Sequence, residues 1–196
     1  MRKEKEIELA SYIEELKTVR KELVERNPKF LSIETYNCLL NNGIIIPREK
    51  ILKGKGNGSA SIILPVTNKD TTILTVQPRV HTRSTVGIGL PAGYIDQGET
   101  SLDAARRELL EETGYTSNNF RKLCSFYQDD GCSGAYNEGY LATNCHKVSE
   151  QHLDKDEFIR YFECTIEEVY ELLEKGIIED VGSQLLLERA RQYIKK

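Results

Sequence analysis

Gly93, Glu99, Arg107, Glu108, Glu111, Glu112 and Gly114 lie within one stretch, GYIDQGETSLDAARRELLEETGY, and their types suit metal and phosphate chemistry. With residue types near ~7% usage, seven fixed identities coincide at a given start on the order of 10⁻⁸. At about 100° per residue, Glu108, Glu111 and Glu112 share a helical arc of roughly 100°. Near a helix C-terminus such carboxylates repel one another and oppose the dipole, at a combined cost of ~1 to 2 kcal/mol. A divalent cation reverses that penalty. Oxygen-only ligands select a hard ion, Mg²⁺ or Mn²⁺ rather than Zn²⁺, and Mg²⁺ completes its shell with water and substrate phosphate. A phosphate-bearing substrate follows. Arg107, four residues before Glu111, is placed to hold a carboxylate by a bidentate pair, with direct contact to substrate as the alternative. The competing reading is a solvated, charge-rich helix face.

A helix must present these groups, and its signals are local. Thr100 or Ser101 caps the start, Asp103 suits the positive end of the dipole, and Gly114 supplies a left-handed stop. Leu102, Ala105 and Leu109 share the adjacent face and are expected to pack.

The spacing from Gly93 through Glu99 to Arg107-Glu108-Leu109-Leu110-Glu111-Glu112-Thr113-Gly114 resembles the Nudix hydrolase box, with Tyr115 at a position usually aliphatic. The resemblance implies an α/β (α+β) fold, an α/β/α sandwich around a mixed β-sheet, in which the box is a loop-helix-loop. It implies attack by water on phosphorus in a nucleoside diphosphate linked to another group. By the same match Glu111 and Glu112 are the main metal ligands, Glu108 a further one, Arg107 the orienting residue, and Gly93 a turn that lets the loop approach the metal.

The flanks resemble the ADP-ribose and ADP-sugar pyrophosphatase branch. Leu90-Pro91-Ala92-Gly93-Tyr94-Ile95-Asp96 is similar to its LPAG(F/Y)ID lead-in, which makes the Ala92 carbonyl a candidate metal ligand. Gln77-Pro78-Arg79 occupies the place of that branch's Gln-x-Arg, whose arginine meets the substrate diphosphate. Gly134 to Glu138 resembles the tail of its SPGxxxE segment, although Ser133 replaces the proline and Gly89 stands where an acidic residue often precedes LPAG. Arg83 and His81 either add positive potential near the lead-in or belong to a solvated loop. In similar pyrophosphatases the general base comes from a loop after the box. Here the loop Leu153 to Ile159 offers Glu157 first, with Glu138 and Asp156 behind it.

Along the rest of the chain, residues 1–28 read as an N-terminal amphipathic helix and residues 29–196 as the hydrolase domain. Leu9, Tyr12 or Ile13, Leu16, Val19 and Leu23 recur at helical spacing from Glu4 to Arg26, and Asn27-Pro28 stops the run. That stripe serves either a dimer contact or packing on its own domain. Leu31 to Leu40 and Ile44 to Leu52 flank Asn41-Asn42-Gly43 as a hairpin, spanning about 30–52; in related ADP-sugar pyrophosphatases such strands serve a homodimer. The glycine-rich stretch from Gly54 to Ser59 lacks phosphate-loop spacing and reads as a connector. Strands are expected at Ser61–Val66, Thr72–Val76, Phe120–Tyr127, Glu138–Thr143 and Phe158–Phe162. A capping box at Thr165-Ile166-Glu167-Glu168 starts a helix ending near Gly176, and a last helix runs from about Gly182 to Tyr193.

A net charge of −4 over 196 residues argues against binding a nucleic acid polymer. Five cysteines without a CxxC pair point to reduced thiols in a cytoplasm. MRKEKEIELA lacks an apolar signal core, and no stretch of about 18 apolar residues suits a membrane. The sequence thus predicts metal-dependent hydrolysis of ADP-ribose or a related nucleoside diphosphate sugar to AMP and a sugar phosphate. The alternatives are a hydrolase of nucleoside triphosphates or dinucleotides, and a non-catalytic domain that senses a nucleotide. Loss of box carboxylates would mark the last, and this chain keeps them all.

Overall fold

A computed structural model of the chain describes residues 1–22, 30–54 and 56–194. Its elements are α1 (Lys3–Leu16), β1 (Leu31–Leu39), β2 (Ile45–Lys53), β3 (Ala60–Thr67), β4 (Thr71–Pro78), β5 (Val86–Gly89), β6 (Ala92–Tyr94) and α2 (Ser101–Thr113). Then come β7 (Tyr115–Thr116), β8 (Asn119–Tyr127), β9 (Tyr136–Lys147), β10 (Arg160–Thr165), α3 (Ile166–Glu174) and α4 (Val181–Ile194).

The central sheet is mixed. β3 runs parallel to β9, whereas β3 with β6, β4 with β5 and β10, and β9 with β7 and β8 are antiparallel. β3 is apolar along its length because both of its faces are covered. Ile62, Leu64 and Val66 join a large core shared with α1, α3 and α4, while Ile63 joins a smaller one with Ala105, Leu109 and Tyr140. One helix on one face and three on the other give the expected sandwich.

The hairpin of β3 and β4 opens almost at once, since only Val66 and Thr72 pair across it. Beyond that point β3 takes β6 as its partner and β4 takes β5. The Ile63 N–H reaches back to the Pro91 carbonyl at 2.9 Å where the chain crosses from β5 to β6. A cleft is left in the splay.

Two expectations need correction. The first helix ends at Leu16 rather than Arg26, because Lys17 is extended and the Thr18 N–H bonds to Thr85 Oγ1 instead of continuing the helix; residues 23–26 and the stop at Asn27-Pro28 lie outside the described residues. Its stripe serves its own domain, with Leu9 buried and Tyr12, Ile13 and Leu16 packed on the large core, while Val19 is exposed. The strand expected from Phe158 begins at Arg160, since a turn closed by Glu157 N–H to the Asp154 carbonyl keeps the preceding residues as loop. The hairpin forms as expected and stands as a separate two-stranded sheet. Among the described residues no helix is long and apolar enough to cross a membrane, and all five cysteines are free.

Candidate active site

The acidic helix α2 starts and stops where its sequence dictates. Thr100 Oγ1 accepts from the Asp103 N–H, and Gly114 takes φ 74° while its N–H closes on the Leu110 carbonyl. Ala105 and Leu109 are fully buried against the sheet, which turns the carboxylate arc toward the cleft.

Arg107 gathers that arc. Its Nε and Nη2 donate to Glu99 at 3.0 and 2.9 Å, its Nη1 to Glu108 at 2.6 Å and to Glu111 at 3.0 Å, and its Nη2 also to the Tyr94 carbonyl at 2.9 Å. The bidentate partner is therefore Glu99 rather than Glu111. Glu99 is held below the ordinary carboxylate range by this guanidinium, and Arg107 is raised in turn, chiefly by Glu99.

Burial separates the remaining carboxylates. Glu108 is pushed up to about 7, since desolvation outweighs the neighbouring guanidinium and the charges of Glu111 and Glu157 add to it. Glu112, 3% exposed, lies well above its ordinary value, first from burial and then from Glu108, although the Ala92 N–H donates to its Oε2 at 3.0 Å. Neither ionised form is fully compensated, since burial outweighs the contact each carboxylate has.

Gly93 is a strand residue in β6 opposite Ser61, not a turn. Its role is space: a Cβ there would lie 1.9 Å from Glu108 Oε1 and 2.0 Å from Cδ. Gly93→Ala must displace a carboxylate that Arg107 pins. We expect it to lower kcat by on the order of 10- to 100-fold while the melting temperature changes little, a loss typical of groups that orient metal ligands. Wild-type kcat in a folded Gly93→Ala protein would contradict the placement of Glu108.

The cleft beside this helix measures about 610 Å³. Glu108, Glu111, Glu112 and Arg107 line one side, with Arg79 and Glu157 on other walls. Arg79 follows β4 and is near enough for its charge to act on Glu112. Glu157 sits on a loop docked to the C-terminal carbonyls of α2: His152 N–H donates to Glu111 O at 2.9 Å and Gln151 Nε2 to Glu112 O at 2.5 Å. Those bonds satisfy carbonyls the helix leaves open and bring Glu157 to the cluster.

Four candidates are not brought to the cleft. Arg83 is exposed and absent from its walls, as is His81. Glu138 faces α2 instead, where it accepts from Ser101 Oγ, from the Tyr140 hydroxyl at 2.8 Å and from Lys122 Nζ at 2.5 Å. Strand alternation accounts for this, because Tyr140 two residues on packs in the α2 core and its partner on the same face must follow. Asn137, on the other face, lines the cleft, and so do His152, Asp154 and Asp180, which local sequence signals did not mark. The Asp156 side chain is exposed and not part of the walls.

The carboxylates provide an all-oxygen donor set suited to a hard divalent cation. Among the described residues no three acidic, histidine or cysteine side chains converge as a preformed cage. Glu108 and Glu111 are turned to Arg107. The donor chemistry, with two buried carboxylates lacking a full counter-charge, fits such an ion.

Comparison with known proteins shows the family. The model of the NUDIX domain family matches residues 56–182. An ADP-ribose pyrophosphatase of Bacillus subtilis (strain 168) is 33% identical over 167 residues, covering 85% of this chain and 87% of that protein. A GDP-mannose pyrophosphatase of Escherichia coli (strain K12) is 30% identical over 160 residues, covering 78% and 83%, and a methanol dehydrogenase activator of Bacillus methanolicus is 28% identical over 85% and 87%. A crystal structure of an ADP compounds hydrolase superposes with a TM-score of 0.71 over 92% of this chain and 95% of that one, at 24% identity, a likeness of fold.

Proposed function

This chain belongs to the Nudix family and is a pyrophosphohydrolase, and from that premise we propose that it cleaves the diphosphate of ADP-ribose or a closely related nucleoside diphosphate sugar, releasing AMP and a sugar phosphate. The observation that carries the reading is the meeting, in one cleft, of the Arg107-gathered carboxylates with Arg79 and Glu157. Glu111, Glu112 and Glu108, with the Ala92 carbonyl at the cleft wall, are the groups that would hold Mg²⁺ or Mn²⁺. When bound, that ion supplies charge neutralisation at the diphosphate and a more acidic water.

The chain's own residues do the rest. Arg79 pairs with a diphosphate oxygen and orients the chain of phosphates along the cleft. Glu157, close enough for its charge to be felt at Glu108 and Glu112, accepts a proton from the attacking water. An oxygen–phosphorus bond forms as the bridging phosphorus–oxygen bond breaks, and the displaced phosphate leaves with the sugar. Glu157→Gln is expected to lower kcat by roughly 10²- to 10⁴-fold with KM little changed.

Substrate choice is tested by kcat/KM across ADP-ribose, GDP-mannose, other ADP-sugars, nucleoside triphosphates and diadenosine polyphosphates. ADP-ribose or another nucleoside diphosphate sugar should lead. A triphosphate ranking at or above ADP-ribose would overturn the branch assignment.

The hairpin supports a homodimer. Leu31, Ile33, Leu39 and Ile45 share one face of β1 and β2 and stand 46%, 65%, 71% and 62% exposed, an apolar patch that association would cover. Light scattering after size exclusion should give twice the chain mass, and Ile33→Asp with Leu39→Asp should halve it. A monomer in the native protein at micromolar concentration would contradict the proposal.

A further inference from the structure

The loops that carry Arg79 and Glu157 leave the sheet side by side. β4 ends at Pro78 and β10 begins at Arg160, and these antiparallel neighbours pair Val76 with Arg160. Each loop therefore emerges from the same end of the sheet, and the Arg79 loop and the first residue of β10 touch one short piece of chain at the end of α1.

On one side, Arg160 Nε and Nη2 grip Glu15 at 3.0 and 2.5 Å. On the other, the Thr18 N–H donates to Thr85 Oγ1 at 3.0 Å, and Lys21 Nζ reaches the Val80 carbonyl at 3.3 Å. α1 is anchored beneath by Leu9, 4% exposed in the large core, so these contacts hang from a fixed element.

Thr85 is the informative residue. It takes φ 59°, a left-handed conformation that a β-branched side chain adopts only under constraint. Its backbone closes the loop, since the Thr85 carbonyl accepts from the Arg79 N–H at 2.8 Å and the Thr85 N–H meets the Thr82 carbonyl at 3.3 Å. The Arg79 stem then lies over Gly87, where a Cβ would be 2.6 Å from Arg79 Cγ. Glycine, which has no Cβ, or asparagine would suit this backbone better. What Thr85 adds is the hydroxyl that takes the Thr18 N–H.

We propose that Glu15–Thr18 is a clip that holds the Arg79 loop against the start of β10, with Thr85 the positioning residue for Arg79; this rests on the substrate role assigned to Arg79 above. Thr85 acts through Arg79 and so governs substrate affinity.

The test compares Thr85→Val, Thr85→Gly and Thr85→Ser, alone and with Arg79→Ala, by steady-state hydrolysis of ADP-ribose and by thermal melting. Thr85→Val should raise KM about fivefold, the size of one lost hydrogen bond, with kcat within about twofold. Thr85→Gly should do the same without loss of melting temperature, because it relieves the left-handed strain, and Thr85→Ser should restore wild-type KM. On the Arg79→Ala background neither should raise KM further. Unchanged KM in Thr85→Val and Thr85→Gly, beside a raised KM in Arg79→Ala, would overturn the clip alone. A KM rise that persists in full on the Arg79→Ala background would also overturn it. Unchanged KM in Arg79→Ala itself would overturn the reading of Arg79 beneath it.

Discussion

Glu112→Gln should abolish most activity and at the same time make the metal-free protein more stable. The loss follows from removing a buried carboxylate aimed at the cleft, and kcat should fall on the order of 10²- to 10³-fold, the scale of losing one preorganised electrostatic contact. The gain follows from the same burial. Glu112 and Glu108 are both raised above the ordinary carboxylate value of about 4.5, Glu108 to about 7, so the folded state binds protons more tightly than the unfolded chain. Stability from these groups is fully present below about pH 4.5 and is lost as pH rises through the folded-state values. In EDTA the wild-type melting temperature should therefore fall between about pH 5 and about pH 8, by an amount corresponding to roughly 1–3 kcal/mol. Mg²⁺ should restore it, since it binds the ionised carboxylates of the folded state. Glu112→Gln should show a shallower decline and a smaller response to Mg²⁺. A melting curve in EDTA that does not depend on pH, or a Gln variant less stable than wild type at about pH 8, would contradict the burial argument.

Arg107→Lys should be nearly as damaging, although it keeps the charge. One ammonium cannot reproduce a fork that holds Glu99 through two nitrogens, reaches the Tyr94 carbonyl and still contacts Glu108 and Glu111. Glu99, whose side chain is 16% exposed, would lose its bidentate partner. We expect kcat to fall roughly 10- to 100-fold and the Mg²⁺ concentration for half-maximal rate to rise by a similar factor, with KM for the nucleotide nearly unchanged. This pattern separates an orienting role from contact with substrate. Raised nucleotide KM with unchanged Mg²⁺ dependence would place Arg107 against the substrate instead.

What could be read from the sequence was local. The Thr100 cap, the Gly114 stop and the capping box at Thr165 are encoded within a few residues, and each forms where its residues indicate. The turn at Asn41-Asn42-Gly43 is of the same kind, with Gly43 at φ 82°. By contrast β5 and β6 were not legible, because Val86–Tyr94 contains three glycines and a proline and no clean alternation. Those strands exist because the β3–β4 hairpin splays and leaves two edges to pair. The end of α1 was misplaced for a similar reason, since Thr18 is withdrawn from the helix by Thr85, 67 residues away.

The site divides along the same line. The carboxylates of α2 and their arginine lie within one helix and its lead-in, and their arc is set by helical pitch. Glu138 and Arg83 lie near family-like segments in the sequence, whereas their direction depends on which face of β9 or of the loop they occupy. His152 and Asp154 reach the cleft because their loop caps the carbonyls of α2, an arrangement of parts distant in sequence.

The most direct measurement is product analysis of ADP-ribose incubated with the purified protein, with and without Mg²⁺. AMP and ribose phosphate should appear in equal amounts with Mg²⁺, and formation should stop in EDTA. Equal rates in EDTA, or no AMP from ADP-ribose or any other nucleoside diphosphate sugar in the presence of Mg²⁺, would contradict a metal-dependent diphosphate hydrolase built on Glu108, Glu111 and Glu112.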